Sequence, residues 1–178
     1  MKKVKILDKE FALSIKEEEI LKAVDMMAEK INREMNGKNP VFIVILNGAF
    51  MFASDLFKKL NIPCEISFVK LSSYIGTKTS ENVKTLIGLS DDIKGRNIIV
   101  LEDIVDSGHT VEDILESLKR LAPADVKIAT LLFKPNAYLK KIDLDYVGIE
   151  IPNDFIVGYG LDYDGYGRNL ADIYKIID

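Results

Sequence analysis

Residues 41–46 read Val-Phe-Ile-Val-Ile-Leu, an apolar run with no alternation, and residues 97–102, NIIVLE, repeat the pattern. A strand with one wet face alternates, because successive side chains point to opposite sides. A continuous run is what a strand needs when helices cover both faces, as in a parallel sheet. Helical patterns follow each run. Asn47-Gly48 breaks the first, and AFMFASDLFKKL, 49–60, comes next; VEDILESLKRL, 111–121, follows the second, with Ile114, Leu115, Leu118 and Leu121 inward. Ala122-Pro123 ends that helix, and VKIATLLF, 126–133, is a third apolar strand. Strand, helix, strand, helix, strand predicts an α/β fold, a mostly parallel central sheet flanked by helices. In such sheets ligands bind beyond the carboxyl ends of the strands, where Asn47-Gly48 and the residues after NIIVLE lie.

The remaining segments are shorter. Ser14-x-x-Glu17 has the form of a capping box, and the stripe Ile20, Val24, Met27, Ile31, Met35 predicts a helix that stops at Gly37. CEISFVKL, 64–71, alternates in part and reads as a strand. SSYIGTKTSENV, 72–83, is polar and reads as a long loop or flap; Thr85–Gly88 is a short strand and 90–96 a turn. DYVGIEI, FIVGYGL and ADIYKII supply short pieces near the end.

With 178 residues, 48% hydrophobic and 29% charged, the chain suits one soluble domain, 1–178. The net charge of −4 argues against nucleic acid, which needs a basic face, but leaves room for a small phosphorylated ligand in a local pocket. No apolar run approaches the ~20 residues of a membrane helix, and MKKVKILDKE carries no signal core, so no membrane partner is expected. The one cysteine, Cys64, reads as a small buried hydrophobe in a reducing compartment, and a cytoplasmic protein is expected.

The most unusual stretch is VLEDIVDSGHT, 100–110. Glu102, Asp103 and Asp106 crowd the end of an apolar strand, and carboxylates so close repel unless a cation, a proton or a hydroxyl-bearing ligand compensates. If strand geometry persists, Glu102 and Asp103 point to opposite faces. Ser107-Gly108-His109-Thr110 leads straight into a helix, whose free N–H groups and hydroxyls can cradle an anion; Thr110 can equally be a simple cap. Acids, turn and strand end together favour a ligand with sugar hydroxyls, a phosphate and Mg2+ over a solvated loop. His109 is the only histidine and has no metal-binding company. Neither a dinucleotide nor a Walker-type motif occurs.

NIIVLEDIVDSGHT, 97–110, resembles the signature of the type I phosphoribosyltransferases: four apolar residues, two acids, two apolar residues, an acid, then Ser/Thr-Gly-x-Thr. ILNGAFMFASDL is similar to the family's pyrophosphate loop and following helix, in its hypoxanthine-guanine branch. KLSSYIGTKTS resembles the mobile catalytic loop, LLFKPNA the base-reading lysine segment, and VGIEIPNDFIVGYGLDYDGYGRNL the aromatic-and-acid hood. These pieces run from about residue 41 to 174 in family order.

The resemblance implies Mg2+-dependent transfer of phosphoribosyl from 5-phosphoribosyl 1-diphosphate to a purine base. It assigns Glu102 and Asp103 to the ribose hydroxyls, partly through Mg2+, and Asp106 to the proton on the base's imidazole-ring nitrogen. Residues 106–110 cradle the 5-phosphate. Leu46, Asn47, Gly48 and Arg168 meet pyrophosphate. Lys134 donates to the six-position oxygen, Phe155 stacks on the purine, Ile156 offers backbone contacts, and Asp162 sits by the base and a second Mg2+. Ser73 and Tyr74 close over the site. A hood formed by the N-terminal segment and about 134–178, and a homodimer or homotetramer, are further implications.

Asn47 stands where the family commonly has lysine, so the pyrophosphate loop lacks a charge; the family's cis peptide is expected between Leu46 and Asn47. Read by itself, Phe155 is equally a core aromatic, Lys134 marks a strand end, and Asp162 and Arg168 are loop charges. A regulator on the same fold is the alternative to an enzyme, and it calls for an added DNA-binding segment or a basic face. Base preference among hypoxanthine, guanine and xanthine is not written in these motifs.

Overall fold

The computed structural model describes residues 2–74, 83–89 and 92–177; for 72–74 and 83–87 this concerns the backbone. A six-stranded sheet in the order β5-β4-β3-β6-β7-β8 forms the centre. Its strands are β3 (Val41–Ile45), β4 (Glu65–Tyr74), β5 (Val83–Ile87), β6 (Asn97–Val105), β7 (Asp125–Phe133) and β8 (Tyr146–Glu150). β4, β3, β6, β7 and β8 run parallel, and β5 joins β4 antiparallel.

The unalternating run of β3 is explained by its two dry faces. Phe42 and Val44 enter one core cluster with residues of α1 (Glu17–Glu34) and α2 (Phe50–Phe57). Val41, Ile43 and Ile45 enter the other, with Val111, Ile114 and Leu118 of α3 (His109–Lys119). All five β3 side chains are buried, as a strand between helical layers requires.

A second, antiparallel sheet in the order β1-β2-β10-β9 joins the chain's two ends: β1 (Lys3–Ile6), β2 (Lys9–Ile15), β9 (Ile156–Val157) and β10 (Ile173–Ile176). Ile6, Phe11, Val157 and Tyr174 form its own small core. No described helix is long and apolar enough to cross a membrane.

Four local expectations are corrected. Ser14 does not cap α1: it lies in β2, Lys16 occupies the cap, and the Glu17 N–H donates to Asp172 (3.0 Å). A tertiary carboxylate satisfies that donor, so the local box is not needed. Leu121 is exposed and Val111 takes the inward place, because α3 begins at His109 and ends at Lys119. The polar stretch 72–83 is not all loop: β4 continues through Tyr74 and β5 begins at Val83, one ladder joining them, while 75–82 lie outside the described residues. Cys64 is half-buried at the core's edge, where burial pushes its thiol up.

Candidate active site

The site is built at the carboxyl ends of β3 and β6. β6 does not stop at Glu102; it runs to Val105 and carries both acids inside the strand. Opposite faces were expected for Glu102 and Asp103. Instead both line one cavity of about 300 Å³, together with Leu46, Gly48, Lys70 and Thr110. Glu102 is buried, and its Oε1 has no hydrogen-bond partner among the described residues. Burial holds its carboxyl well above the usual glutamate range, and the charge of Asp103 adds to this. Burial also raises Asp103, although a hydrogen bond with Glu102, the Ile104 N–H (2.8 Å) and the charge of Arg168 pull the other way.

An orphaned, buried carboxylate oxygen beside a second carboxylate calls for positive charge or hydroxyl donors. A hard divalent cation fits this donor set. Mg2+ is commonly held by one or two carboxylates and completed by ligand oxygens. Asp162 is not part of this pair, and among the described residues no three His, Cys, Asp or Glu side chains gather to hold a metal by themselves. The chain therefore offers part of a coordination shell, with a bound ligand supplying the rest.

Beyond Val105 the chain turns into α3. Gly108 adopts φ +87°, and a Cβ there would lie 2.5 Å from the Tyr138 ring. This lets α3 start immediately at His109. The first-turn N–H groups of a helix have no intrahelical acceptors, so an anion can take them. Ser107 Oγ and His109 Nδ1 are 2.8 Å apart, and the exposed Thr110 lines the cavity within the first helical turn, not at the cap.

Asp106 is half-exposed at this turn, and its carboxylate accepts from Lys134 Nζ at 3.0 Å. Lys134 is nearly buried at the end of β7, its N–H bonded to the Val105 carbonyl (2.9 Å). One ladder thus fixes both ends of the pair.

Residues 46–48 follow β3 directly. The Leu46–Asn47 peptide is cis, Asn47 is exposed, and Gly48 packs against Asp103, where an added Cβ would lie 1.6 Å from Oδ2. The loop after β9 closes over Gly48. Gly160 adopts φ +98°, and a Cβ on it would lie 2.1 Å from the Gly48 carbonyl oxygen. Arg168 donates to the Gly160 carbonyl (2.7 Å) and pairs with Asp162 (2.7 Å), whose other oxygen accepts the Gly165 N–H. Phe155 is 47% exposed, not a core residue, and meets Tyr163 edge-on with centroids 6.0 Å apart. Ile156 is buried with its backbone paired to Lys175. The backbones of Ser73 and Tyr74 lie in β4 opposite Lys84 and Val83; their side chains are outside the described residues.

Three features went unnoticed in the sequence. Lys70 lines the cavity from β4. Gly160 seats the 158–168 loop on Gly48. Tyr159, buried and at φ 49°, donates to Asp55 of α2 at 2.6 Å. Of these, only the Gly-Tyr-Gly spacing carried a local signal, that of a tight turn.

The sequence profile described as phosphoribosyl transferase domain matches residues 13–164. The hypoxanthine phosphoribosyltransferase of Haemophilus influenzae is 40% identical over 149 residues, 83% of each chain. The hypoxanthine-guanine phosphoribosyltransferase of Lactococcus lactis is 41% identical over 157 residues, 88% of this chain and 85% of that one. A crystal structure of a hypoxanthine phosphoribosyltransferase from Staphylococcus aureus superposes with a TM-score of 0.85 at 35% identity, covering 93% of this chain and 90% of that one.

Proposed function

This chain belongs to the phosphoribosyl transferase family and is one of its enzymes, and we propose that it converts hypoxanthine, and guanine, to their nucleoside monophosphates in purine salvage. The phosphoribosyl donor is 5-phosphoribosyl 1-diphosphate. The bond from the ribose anomeric carbon to the diphosphate oxygen breaks, a bond to the purine's imidazole nitrogen forms, and that nitrogen loses its proton. Pyrophosphate leaves.

The observation that carries this reading is the convergence of Glu102, Asp103, Gly48 and Thr110 on one cavity at the ends of β3 and β6. It offers carboxylates for sugar hydroxyls, an open backbone for a diphosphate and a helix start for a phosphate. Glycosyl transfer of this kind develops positive charge on the sugar and negative charge on the leaving group. Positioning and charge stabilisation supply the rate. Asp106 takes the proton from the base, and Lys134, held beside it, donates to the six-position oxygen. A cationic donor favours an oxo group over the amino group of adenine. Half-exposed Phe155 stacks on the purine, Ile156 offers backbone groups, and Arg168, bonded to the Gly160 carbonyl, meets pyrophosphate. Residues 107–110 take the 5-phosphate, and Ser73 and Tyr74 shield the reaction from water. Glu102 and Asp103 would hold Mg2+, which would supply positive charge against the diphosphate; Asp162 could join a second ion only by giving up its bonds to Arg168 and the Gly165 N–H.

We place the enzyme in the cytoplasm, as a homodimer or homotetramer, with a hood over one catalytic body formed by the N-terminal segment and the part of 134–178 that follows β8, since β8 itself belongs to the central sheet. Light scattering on the purified protein tests the assembly. The decisive experiment for the reaction is competition among hypoxanthine, guanine, xanthine and adenine with the diphosphate sugar and MgCl2. Hypoxanthine and guanine should be consumed first and adenine left. Preference for xanthine or adenine, or no nucleotide product, overturns the reading.

A further inference from the structure

We propose that Lys70 binds the diphosphate: its ammonium supplies a positive charge, without an ion-pair partner among the described residues, to the cavity that Leu46, Gly48, Glu102 and Asp103 line. This rests on the reaction above for the identity of the anion, and on the structure for the residue. β3 and β4 run parallel with Ile45 beside Val69, and the Leu46 N–H donates to the Val69 carbonyl at 2.8 Å. Lys70 is therefore the strand residue next to the 46–48 loop, and it is one of the residues that line the cavity.

Charge accounting singles it out. The two other cations of the site are already matched by acids of this chain. Lys134 pairs with Asp106 at 3.0 Å, and Arg168 pairs with Asp162 at 2.7 Å. Lys70 is exposed and has no ion-pair partner among the described residues. The loop beside it contributes only neutral groups, Leu46, Asn47 and Gly48. Lys70 thus puts a positive charge beside a loop that contributes none of its own. A lysine suits this place, because its flexible stem lets three donors follow an anion as it enters and leaves.

The test is titration calorimetry of inorganic pyrophosphate, with MgCl2, into the wild type, Lys70→Ala and Lys70→Arg. Steady-state KM values for the diphosphate sugar and for hypoxanthine complete it. Loss of a charge-assisted contact should weaken pyrophosphate about tenfold in Lys70→Ala. The diphosphate-sugar KM should rise in parallel while the hypoxanthine KM stays put, and arginine should restore most of the loss. Unchanged pyrophosphate affinity in Lys70→Ala overturns the proposal, as does equal weakening by alanine and arginine. A wild type that turns over no hypoxanthine overturns the reaction instead, and the pyrophosphate titration still decides Lys70.

Discussion

The ammonium of Lys134 lies 3.0 Å from the carboxylate of Asp106, joining the end of β7 to the turn after β6. The lysine side chain is 11% exposed and the aspartate 53%. The donor is held in the protein while its acceptor reaches the solvent side, where a base can approach. The pair arises because the parallel β6–β7 ladder runs up to Val105 beside Phe133.

Asp106→Asn should lower kcat about a hundredfold, the usual worth of a positioned general base. The diphosphate-sugar KM should change little, since the cavity walls are untouched. Steady-state kinetics with hypoxanthine check this. Wild-type turnover in the variant would remove Asp106 from the proton transfer.

Lys134→Ala should narrow the discrimination between hypoxanthine and adenine, by about tenfold or more for a lost charge-assisted donor. The ratio of kcat/KM for the two bases measures it. An unchanged ratio assigns the choice of 6-oxopurines elsewhere.

Glu102→Gln should stabilise the free protein at pH 7.5. Burial raises the folded-state pKa of Glu102 above its ordinary 4.5, so the neutral form is the one the fold prefers. That contribution is complete below about pH 4.5 and is lost as pH rises toward the folded value. Glutamine keeps the shape without the charge, and Tm at pH 7.5 should rise by a few degrees, roughly 2–4 °C per kcal/mol at this size. The gain should vanish at pH 4, and affinity for the diphosphate sugar should fall. Scanning calorimetry at both pH values decides; a lower Tm at pH 7.5 contradicts the assignment.

Two glycine substitutions should separate activity from stability. A Cβ at Gly48 meets the end of the Asp103 side chain, which can swing away. Gly48→Ala should therefore cost activity with little loss of Tm. A Cβ at Gly160 meets the Gly48 backbone, and φ is +98°. Nothing there can rotate aside, and Gly160→Ala should destabilise by about 1–3 kcal/mol as well as inactivate. Denaturant unfolding alongside assays compares the two; equal stability losses would refute the distinction.

Tyr159→Phe should cost about 1–2 kcal/mol, since it deletes a 2.6 Å bond to a partly buried carboxylate. Burial alone raises the Asp55 pKa, but the bonds from Lys58 and Tyr159 outweigh it and hold it below 3.8. A depressed carboxylate contributes stability above its unfolded pKa and loses it as pH falls through the folded value. The variant should thus lose less stability than the wild type between pH 5 and pH 2. Parallel unfolding curves across that range would show that the bond does not tune Asp55.

The legible part of this protein is the part that short-range physics dictates. An unbroken apolar run needs two dry faces, and Val41–Ile45 divides its side chains between two core clusters. The stripe from Ile20 to Met35 is buried along α1 for the same kind of reason. Acids, serine, glycine and threonine after an apolar strand pointed to the end of the sheet where the cavity lies. The Ser14 box failed because a carboxylate 155 residues downstream, Asp172, reached the Glu17 N–H. Local capping is a preference that a tertiary partner can replace.

Composition, periodicity and motif order were enough to determine the α/β sheet, the edge where the cavity opens and the family resemblance. Only the tertiary structure decided that Glu102 and Asp103 share a cavity, that Gly160 rests on Gly48, that Arg168 pairs with Asp162 and that Lys70 has no such partner among the described residues. Gly160 on Gly48 joins segments far apart in the chain, and the cavity gathers Gly48, Lys70, Glu102, Asp103 and Thr110 from separate elements. Their distance depends on how the helical layers and the two sheets pack, and no local pattern of residues encodes it.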